Sequence, residues 1–388
     1  RSVLSRTMGV PIFQEQVIQL AMVAAGFTGG EADQLRRAMA SWKKTGKLLQ
    51  FRSKLIDGMT ERGYKSEFAE QLFEQICGFG EYGFPESHSA SFAVLAYVSS
   101  WLKYYFPAEF YTGLMNSWPM GFYSPAQLVK DAQLHQIRVL PVCINHSEYD
   151  HSLTAAGELR LGLRQVKGLS EEGARGLVTN RPPSGFTQLS SIQQCGLSQG
   201  DIAALASANA LTDISAHRFD ARWKVADTQQ SLPLFSEESS DTYLVSAPSP
   251  AEDMIEDYAS LALSVDKHPI ALLNASGKLK HITFANQLAH KAHKTPVRII
   301  GNVVGRQAPG TAGGVTFVTL EDHTGNINVI VWQNTARAQK QPFLSATILE
   351  VHGILERSKE GVCHVIAGKL INRNDMFSSL TVKSRDFH

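Results

Sequence analysis

The chain has 388 residues, 43% apolar and 19% charged, which is enough for two or three domains with buried cores and argues against a wholly disordered protein. Its 37 bases and 36 acids leave a net charge of +1, and taken as a mean that does not suggest a nucleic-acid binder. Cys77, Cys143, Cys195 and Cys363 lie far apart without a C-x-x-C pair, which speaks against a zinc knuckle or disulfide scaffold, and no apolar stretch reaches the roughly 20 residues that a membrane span requires. A cytoplasmic protein without a membrane partner is expected. The start at Arg1, without methionine or signal-peptide pattern, suggests a piece of a longer protein.

Residues 14–25 carry apolar side chains at helical spacing and stop at Gly26, a good C-terminal cap. A second helix is expected over 30–40, with Glu31 and Asp33 in its first turn, where the helix dipole favours acids; that places this pair at a helix start and not at a metal. Helical patterns continue over 48–61 and 66–78. Three glycines and a proline within residues 78–85 then end helix formation. Ser87, His88 and Ser89 read as the cap of a small-residue-rich helix over 90–104, and Pro107 opens another. Farther on come a helix over 125–136, a short strand at 138–141, a hairpin around Gly157, and helices over 171–179 and up to 210. Residues 297–304, 315–320, 327–332, 348–354 and 362–367 are five strand-like runs, with a short helix expected between the third and fourth. That is the pattern of a Greek-key barrel of the OB type.

Charge is strongly segregated along the chain. Residues 225–266 hold nine acids and no lysine or arginine, so the remainder carries 37 bases against 27 acids, or +10. Residues 236–250, rich in serine, proline and acid, read as a solvated linker. Conversely, Arg36, Arg37, Lys43, Lys44, Lys47, Arg52 and Lys54 occur without an acid between them, and like charges so crowded repel unless a polyanion or open solvent separates them.

Three further features bear on function. The turn at Val166, Lys167, Gly168 and Leu169 suits a helix-hairpin-helix, in which glycine admits a phosphate and a helix N-terminus donates to it, or else is an ordinary tight turn. In the barrel, Phe317 and Trp332 would stack bases while Arg298, Arg306, Lys340 and Arg357 follow the backbone, although either aromatic side chain would serve equally as barrel core. Gln230, Leu232, Leu234 and Phe235 form an apolar peptide inside the acidic stretch, placed to dock either on a partner's groove or on this protein's own surface. The pair His290 and His293 lacks an acid or cysteine partner and reads as a solvated helix face.

Together these residues resemble the bacterial family C DNA polymerases, the DNA polymerase III alpha subunits, and within them the error-prone, damage-inducible branch. Phe13-Gln-Glu-Gln-Val17, Asp33-Gln-Leu-Arg-Arg-Ala-Met39 and Gly80-Glu-Tyr-Gly-Phe-Pro-Glu-Ser-His-Ser-Ala-Ser-Phe-Ala93 are similar to the fingers of that family. Leu140-Pro-Val-Cys-Ile-Asn145 and Leu161-Gly-Leu-Arg-Gln-Val-Lys-Gly168 resemble the approach to its helix-hairpin-helix region, and Ser384-Arg-Asp-Phe-His388 the tail of the error-prone branch.

The resemblance implies a multidomain α+β fold: a mostly α-helical fingers segment at 1–118, tandem helix-hairpin-helix elements at 119–222, an acidic linker with a sliding-clamp-binding peptide at 223–295, an all-β OB-fold barrel at 296–375 and a tail at 376–388. It implies that Arg36 and Arg37 face the triphosphate of the incoming dNTP with Lys43 and Lys44 as helpers, and that Tyr82, Ser87, His88 and Ser89 lie near the nucleotide or template. Lys167, Gly168, Arg298, Arg306, Phe317, Trp332 and Arg357 would contact primer-template DNA, and Gln230, Leu232, Leu234 and Phe235 a clamp. Glu86 stands where replicative members carry lysine, and Ser170 where many hairpin turns carry glycine. No D-x-D motif occurs, so the palm aspartates that hold Mg2+ are missing and no catalytic residue or metal ligand is expected in this chain. The expected function is the C-terminal portion of an error-prone DNA-directed DNA polymerase for translesion and repair synthesis, inactive alone and working with damage-response accessory proteins. The alternative is a non-catalytic DNA-binding adaptor derived from a polymerase.

Overall fold

The computed structural model describes residues 2–40, 47–79, 85–121, 123–227, 245–266, 268–309, 313–358, 360–377 and 385–387. They fall into two compact units, Arg1–Tyr105 and Phe106–His388.

The first unit is helical: α1 (Gln14–Ala25), α2 (Gly29–Ala40), α3 (Arg52–Glu61), α4 (Ser66–Phe79) and α5 (Glu86–Tyr105). Val17, Ala21, Leu35, Leu55, Met59, Phe73 and Ile76 form the core shared by α1 to α4. Helix α1 ends on Gly26 at φ +74°, a left-handed turn that favours glycine, and a Cβ there would also strike the Arg62 guanidinium. Gly58 has a different reason to be glycine: a Cβ would lie 2.2 Å from the Ala25 carbonyl oxygen, so its absence lets α3 press against the end of α1. Helix α5 starts at Glu86, four residues before the sequence expectation, because Pro85 supplies the first helical carbonyl and the Glu86 amide donates to the Glu15 carboxylate at 2.9 Å. None of its residues is buried, and Phe92, Tyr97, Trp101, Tyr104 and Tyr105 are among its exposed apolar side chains.

The second unit begins with α6 (Pro107–Asn116) and α7 (Pro125–Leu134), then a three-stranded sheet of β1 (Val139–Leu140), β2 (Ser152–Leu153) and β3 (Leu159–Arg160) in the order β1-β3-β2. The helix-hairpin-helix region follows as α8 (Glu171–Thr179), α9 (Leu189–Gln193), α10 (Gln199–Ser207) and α11 (Arg218–Asp227). Ile144, Leu161, Leu163, Leu177, Ile202 and Leu205 belong to one core that joins these pieces.

The stretch expected to be a solvated linker, 236–250, lies mostly outside the described residues, while the wider acidic segment beyond it is largely folded. It and the residues after it form α12 (Pro250–Leu261), α13 (Pro269–Ala275) and α14 (Ala285–Leu288). The acids are structural: the Arg218 guanidinium, 1% exposed, is held by Asp253 at 2.8 Å and by Asp257, while Arg222 pairs with Glu256. The bases that balance this stretch stand on α11, just upstream, which a count confined to residues 225–266 leaves out.

A barrel closes the unit: β4 (Pro296–Gln307), β5 (Thr316–Asp322), β6 (Gly325–Val331), the short helices α15 (Gln333–Ala338) and α16 (Lys340–Ser345), β7 (Ile348–Arg357) and β8 (Cys363–Asn372). Strand order β5-β6-β8-β7-β4, closed by β4 on β5, is that of an OB fold. Closure depends on β4 serving two neighbours: residues 296–302 pair with β7 and residues 302–307 with β5, with a bulge between Val303 and Gly305 where the strand bends. A short β9 (Arg385–Phe387) runs parallel to the end of β4. Outside the barrel wall, Met254, Ile270 and Leu273 pack on Ile300 and Ile348, which fastens α12 and α13 to it.

Candidate nucleic-acid interface

In the first unit the described bases of the run, Arg36, Arg37, Arg52 and Lys54, each meet an acid. Arg36 and Arg37, near the C-terminal end of α2, both reach back to Asp33, at 2.8 Å each. The Arg36 hydrogen bond and the pull of both guanidinia hold the Asp33 carboxyl below its ordinary range. Lys54 pairs with Glu31, whose carboxyl falls to about 2 chiefly through that contact and the Thr28 cap, and Arg52 pairs with Glu70 at 3.1 Å. Arg37 nonetheless stays 74% exposed, and Arg36 43%, so both present guanidinium edges to solvent on one helix end. Lys43, Lys44 and Tyr82 lie outside the described residues.

Ser87, His88 and Ser89 form the first turn of α5 instead of capping it. Ser87 and His88 are exposed, with the His88 ring 4.4 Å from that of Phe92, and Ser89 Oγ donates to the Pro85 carbonyl at 3.3 Å. Glu86 is engaged by Arg6.

In the hairpin region, Gly168 supplies the left-handed turn at φ +85°, as its place in the motif requires. Lys167 points elsewhere than expected: its Nζ donates to the carbonyls of Tyr258 and Ala259 at 3.1 and 3.0 Å, closing the C-terminal end of α12. Ser170 is the N-cap of α8, accepting from Gly173 N at 3.0 Å. The Ser170 amide in turn donates to Asp201, 5% exposed, which also takes the Ser198 amide and hydroxyl. Burial pushes the Asp201 carboxyl up, yet these donors outweigh it and hold the group below its ordinary value. A carboxylate of this chain thus occupies the kind of anion-accepting helix start that the hairpin motif was expected to offer to phosphate.

On the barrel, Phe317 stands opposite Ile330 in the β5–β6 register, and alternation sends Val318, Leu320, Val329 and Val331 inward. Phe317 and Trp332 are therefore outside the core, 38% and 52% exposed. Arg306 is a correction to the sequence expectation: it is 6% exposed, its Nε and Nη2 donating to the carbonyls of Phe343 and Ala346, so it secures α16 to β4 and does not follow a DNA backbone. Arg357 likewise serves the fold, donating to the carbonyls of Leu288, Ala289 and Lys291 after α14.

Arg298 belongs to a constellation that single-residue reading missed. The β4–β7–β8 register aligns it with His352 and Lys369 in one row across three strands, with Arg373 at the end of β8. Beneath them the Glu350 carboxylate, 1% exposed, takes Arg298, His352 and, at 2.7 Å, Arg373. Burial alone would raise Glu350, but these three partners bring it down to about 2. One carboxylate beneath three permanent cations leaves the row positive, with Lys369 fully on the outside. Only the strand register, not spacing along the chain, brings these bases together.

Comparisons with known proteins match the same three regions. Residues 1–63 fit the model of the bacterial DNA polymerase III alpha subunit finger domain, residues 136–221 a helix-hairpin-helix motif and residues 297–372 an OB-fold nucleic acid binding domain. Proteins named error-prone DNA polymerase align over 100% of this chain, at 61% identity in Vibrio parahaemolyticus, 51% in Idiomarina loihiensis and 48% in Pseudomonas paraeruginosa. The chain spans 38% of the length of each. Among solved structures, asparaginyl-tRNA synthetase from Pyrococcus horikoshii covers 24% of this chain, and this chain 23% of it, at 18% identity and a TM-score of 0.22, a likeness that carries no weight. Among the described residues no helix is long and apolar enough to cross a membrane.

Proposed function

Because the chain belongs to the bacterial error-prone DNA polymerases, within the DNA polymerase III alpha family, we propose that it supplies the nucleotide-facing fingers segment and the DNA-binding modules of an enzyme that copies damaged templates. The single observation that carries this reading is 61% identity across the whole chain to a protein of that name, with the finger, hairpin and barrel models falling in order along it. Arg36 and Arg37 are the nucleotide-facing cations: exposed guanidinia on α2 match a triphosphate in charge and geometry. Ser87 and His88 on α5 lie beside the nucleotide or template. On the barrel, Phe317 and Trp332 stack bases, and the row of Arg298, His352 and Lys369 follows a phosphate backbone.

Nucleotidyl transfer needs divalent metal ions held by clustered carboxylates. The sequence has no D-x-D motif, and the mixed cluster found among the described residues is a thiol, an imidazole and a carboxylate, a set suited to softer ions than Mg2+. These residues do not fit the polymerase metal site, so no step of the chemistry is assigned to them. The peptide at Gln230, Leu232, Leu234 and Phe235 lies outside the described residues. We read it as a sliding-clamp anchor, and replacement of Leu234 and Phe235 by alanine should abolish clamp pull-down; retention would return the segment to a plain linker.

The DNA reading is tested by anisotropy titration of a labelled single strand with the 388-residue chain across salt concentrations. Trp332→Ala should weaken binding about 5- to 150-fold at every salt concentration without changing the salt slope, as loss of one stacked base does. Lys369→Ala should instead flatten the slope of log K against log salt by about 0.7, one phosphate contact on a single strand. Absence of binding at low salt, or variants that both match the parent, would overturn the assignment.

A further inference from the structure

Beside the helix-hairpin-helix core, the loop after β1 and the turn after α10 bring together three side chains that the DNA-binding reading does not use. Cys143, His146 and Asp213 each offer one ligand atom, all within 4.8 Å of one another. The Cys143 thiol is 5% exposed and donates to Asp213 Oδ2 at 3.1 Å. Asn145 Nδ2 donates to the same oxygen at 2.9 Å, fixing the carboxylate toward the sulfur, while His146 and Asp213 face solvent.

The backbone makes the arrangement before any ligand arrives. The Ile144 amide donates to the Ala210 carbonyl at 3.0 Å and so ties the 143–147 turn to the chain leading into Asp213. Within that turn Ser147 N donates to the Cys143 carbonyl at 2.8 Å, and Ser147 Oγ accepts from Cys143 N at 3.0 Å. Asn145 is itself fixed by the Phe186 amide and carbonyl, at 2.7 and 3.1 Å. Sulfur and carboxylate oxygen therefore stand at a separation that tetrahedral coordination requires, since metal–ligand bonds of about 2.0 to 2.3 Å put ligand atoms about 3 to 4 Å apart. The imidazole, three residues from the cysteine and exposed, can rotate to complete the set.

We propose that Cys143, His146 and Asp213 bind a borderline divalent transition-metal ion of the zinc class, the fourth position being left to water, as a clip between the loop at 143–147 and the chain after α10. Thiolate plus imidazole selects such an ion over Mg2+ or Ca2+. Binding replaces the thiol proton that now bridges to Asp213, and that proton is released to solvent. Asn145 acts as the outer partner that keeps the carboxylate aimed. The proposal stands or falls independently of the DNA-binding reading.

The test is titration of the metal-free 388-residue chain with Co2+, followed by absorption, with Zn2+ as competitor. Stoichiometric binding should give a thiolate-to-cobalt charge-transfer band that Zn2+ removes. Cys143→Ser, which keeps a donor to Asp213 and so preserves the local fold, should lose the band completely. His146→Ala and Asp213→Asn, both at exposed positions, should each weaken binding at least about tenfold. Zn2+ should raise the melting temperature of the parent and leave that of Cys143→Ser unmoved. No band, or a band that survives in Cys143→Ser and thus belongs to another thiol, would overturn the proposal.

Discussion

Asp201 and His151 show how single buried groups set the stability of the hairpin region. Asp201 takes the amides of Ser170 and Ser198 and the Ser198 hydroxyl, so one side chain locks the start of α8 to the start of α10. Asp201→Ala leaves those donors without their acceptor and should cost about 2–3 kcal/mol in urea unfolding at pH 7; a loss below about 0.5 kcal/mol would show that water replaces the carboxylate freely. The pH dependence has a definite sign. A carboxyl held below its ordinary value stabilises the fold above the unfolded pKa of about 3.9 and loses that contribution as pH falls through its lowered value. His151 works in a higher window: burial first, then Arg164, lowers it to about 4, and its Nδ1 accepts from the Gly162 amide at 3.0 Å. Its contribution is complete above about 6.5 and is lost as pH falls toward 4, because the unfolded chain takes up the proton first. The parent should therefore weaken in two stages on acidification, and the alanine variant at Asp201 should lose less in the lower one, to which Glu31 and Glu350, both at about 2, still contribute.

At the level of elements, most of the fold was legible because local patterns and tertiary packing agree. Helix α1 with its Gly26 cap, α8 at its observed bounds and the five barrel strands separated by turn residues follow from periodicity and turn chemistry alone. Charge counts along the chain miss partners that lie outside the counted window. A count of acids over residues 225–266 shows no base, yet Asp253, Glu256 and Asp257 meet Arg218 and Arg222 on α11, outside that window. Removing one partner from so buried an ion pair typically costs about 3–5 kcal/mol, so α12 is part of the folded body. In the first unit, too, the acids that meet Arg36, Arg37, Arg52 and Lys54 stand outside the basic run, at Asp33, Glu31 and Glu70. Among the site residues, residue type leaves Phe317 and Trp332 open between stacking platform and barrel core, and only strand alternation puts them outside the core. Residue type cannot foresee that Arg306 is turned onto two carbonyls or that His352 and Lys369 join Arg298, because those outcomes depend on strand register.

Across the molecule, the net charge of +1 conceals a division of labour. Acids gathered in one stretch fasten a helix to the hairpin region, and bases elsewhere remain exposed on α2 and on the barrel wall. The most direct measurement is steady-state nucleotide incorporation by a polymerase of its relatives' full length bearing Arg36→Ala or Arg37→Ala. Loss of a charge-assisted contact to triphosphate should raise KM for dNTP or lower kcat about tenfold or more, while Asp33→Asn, which releases both guanidinia, should leave KM unchanged or lower. Kinetics unaltered in both arginine variants would contradict the account.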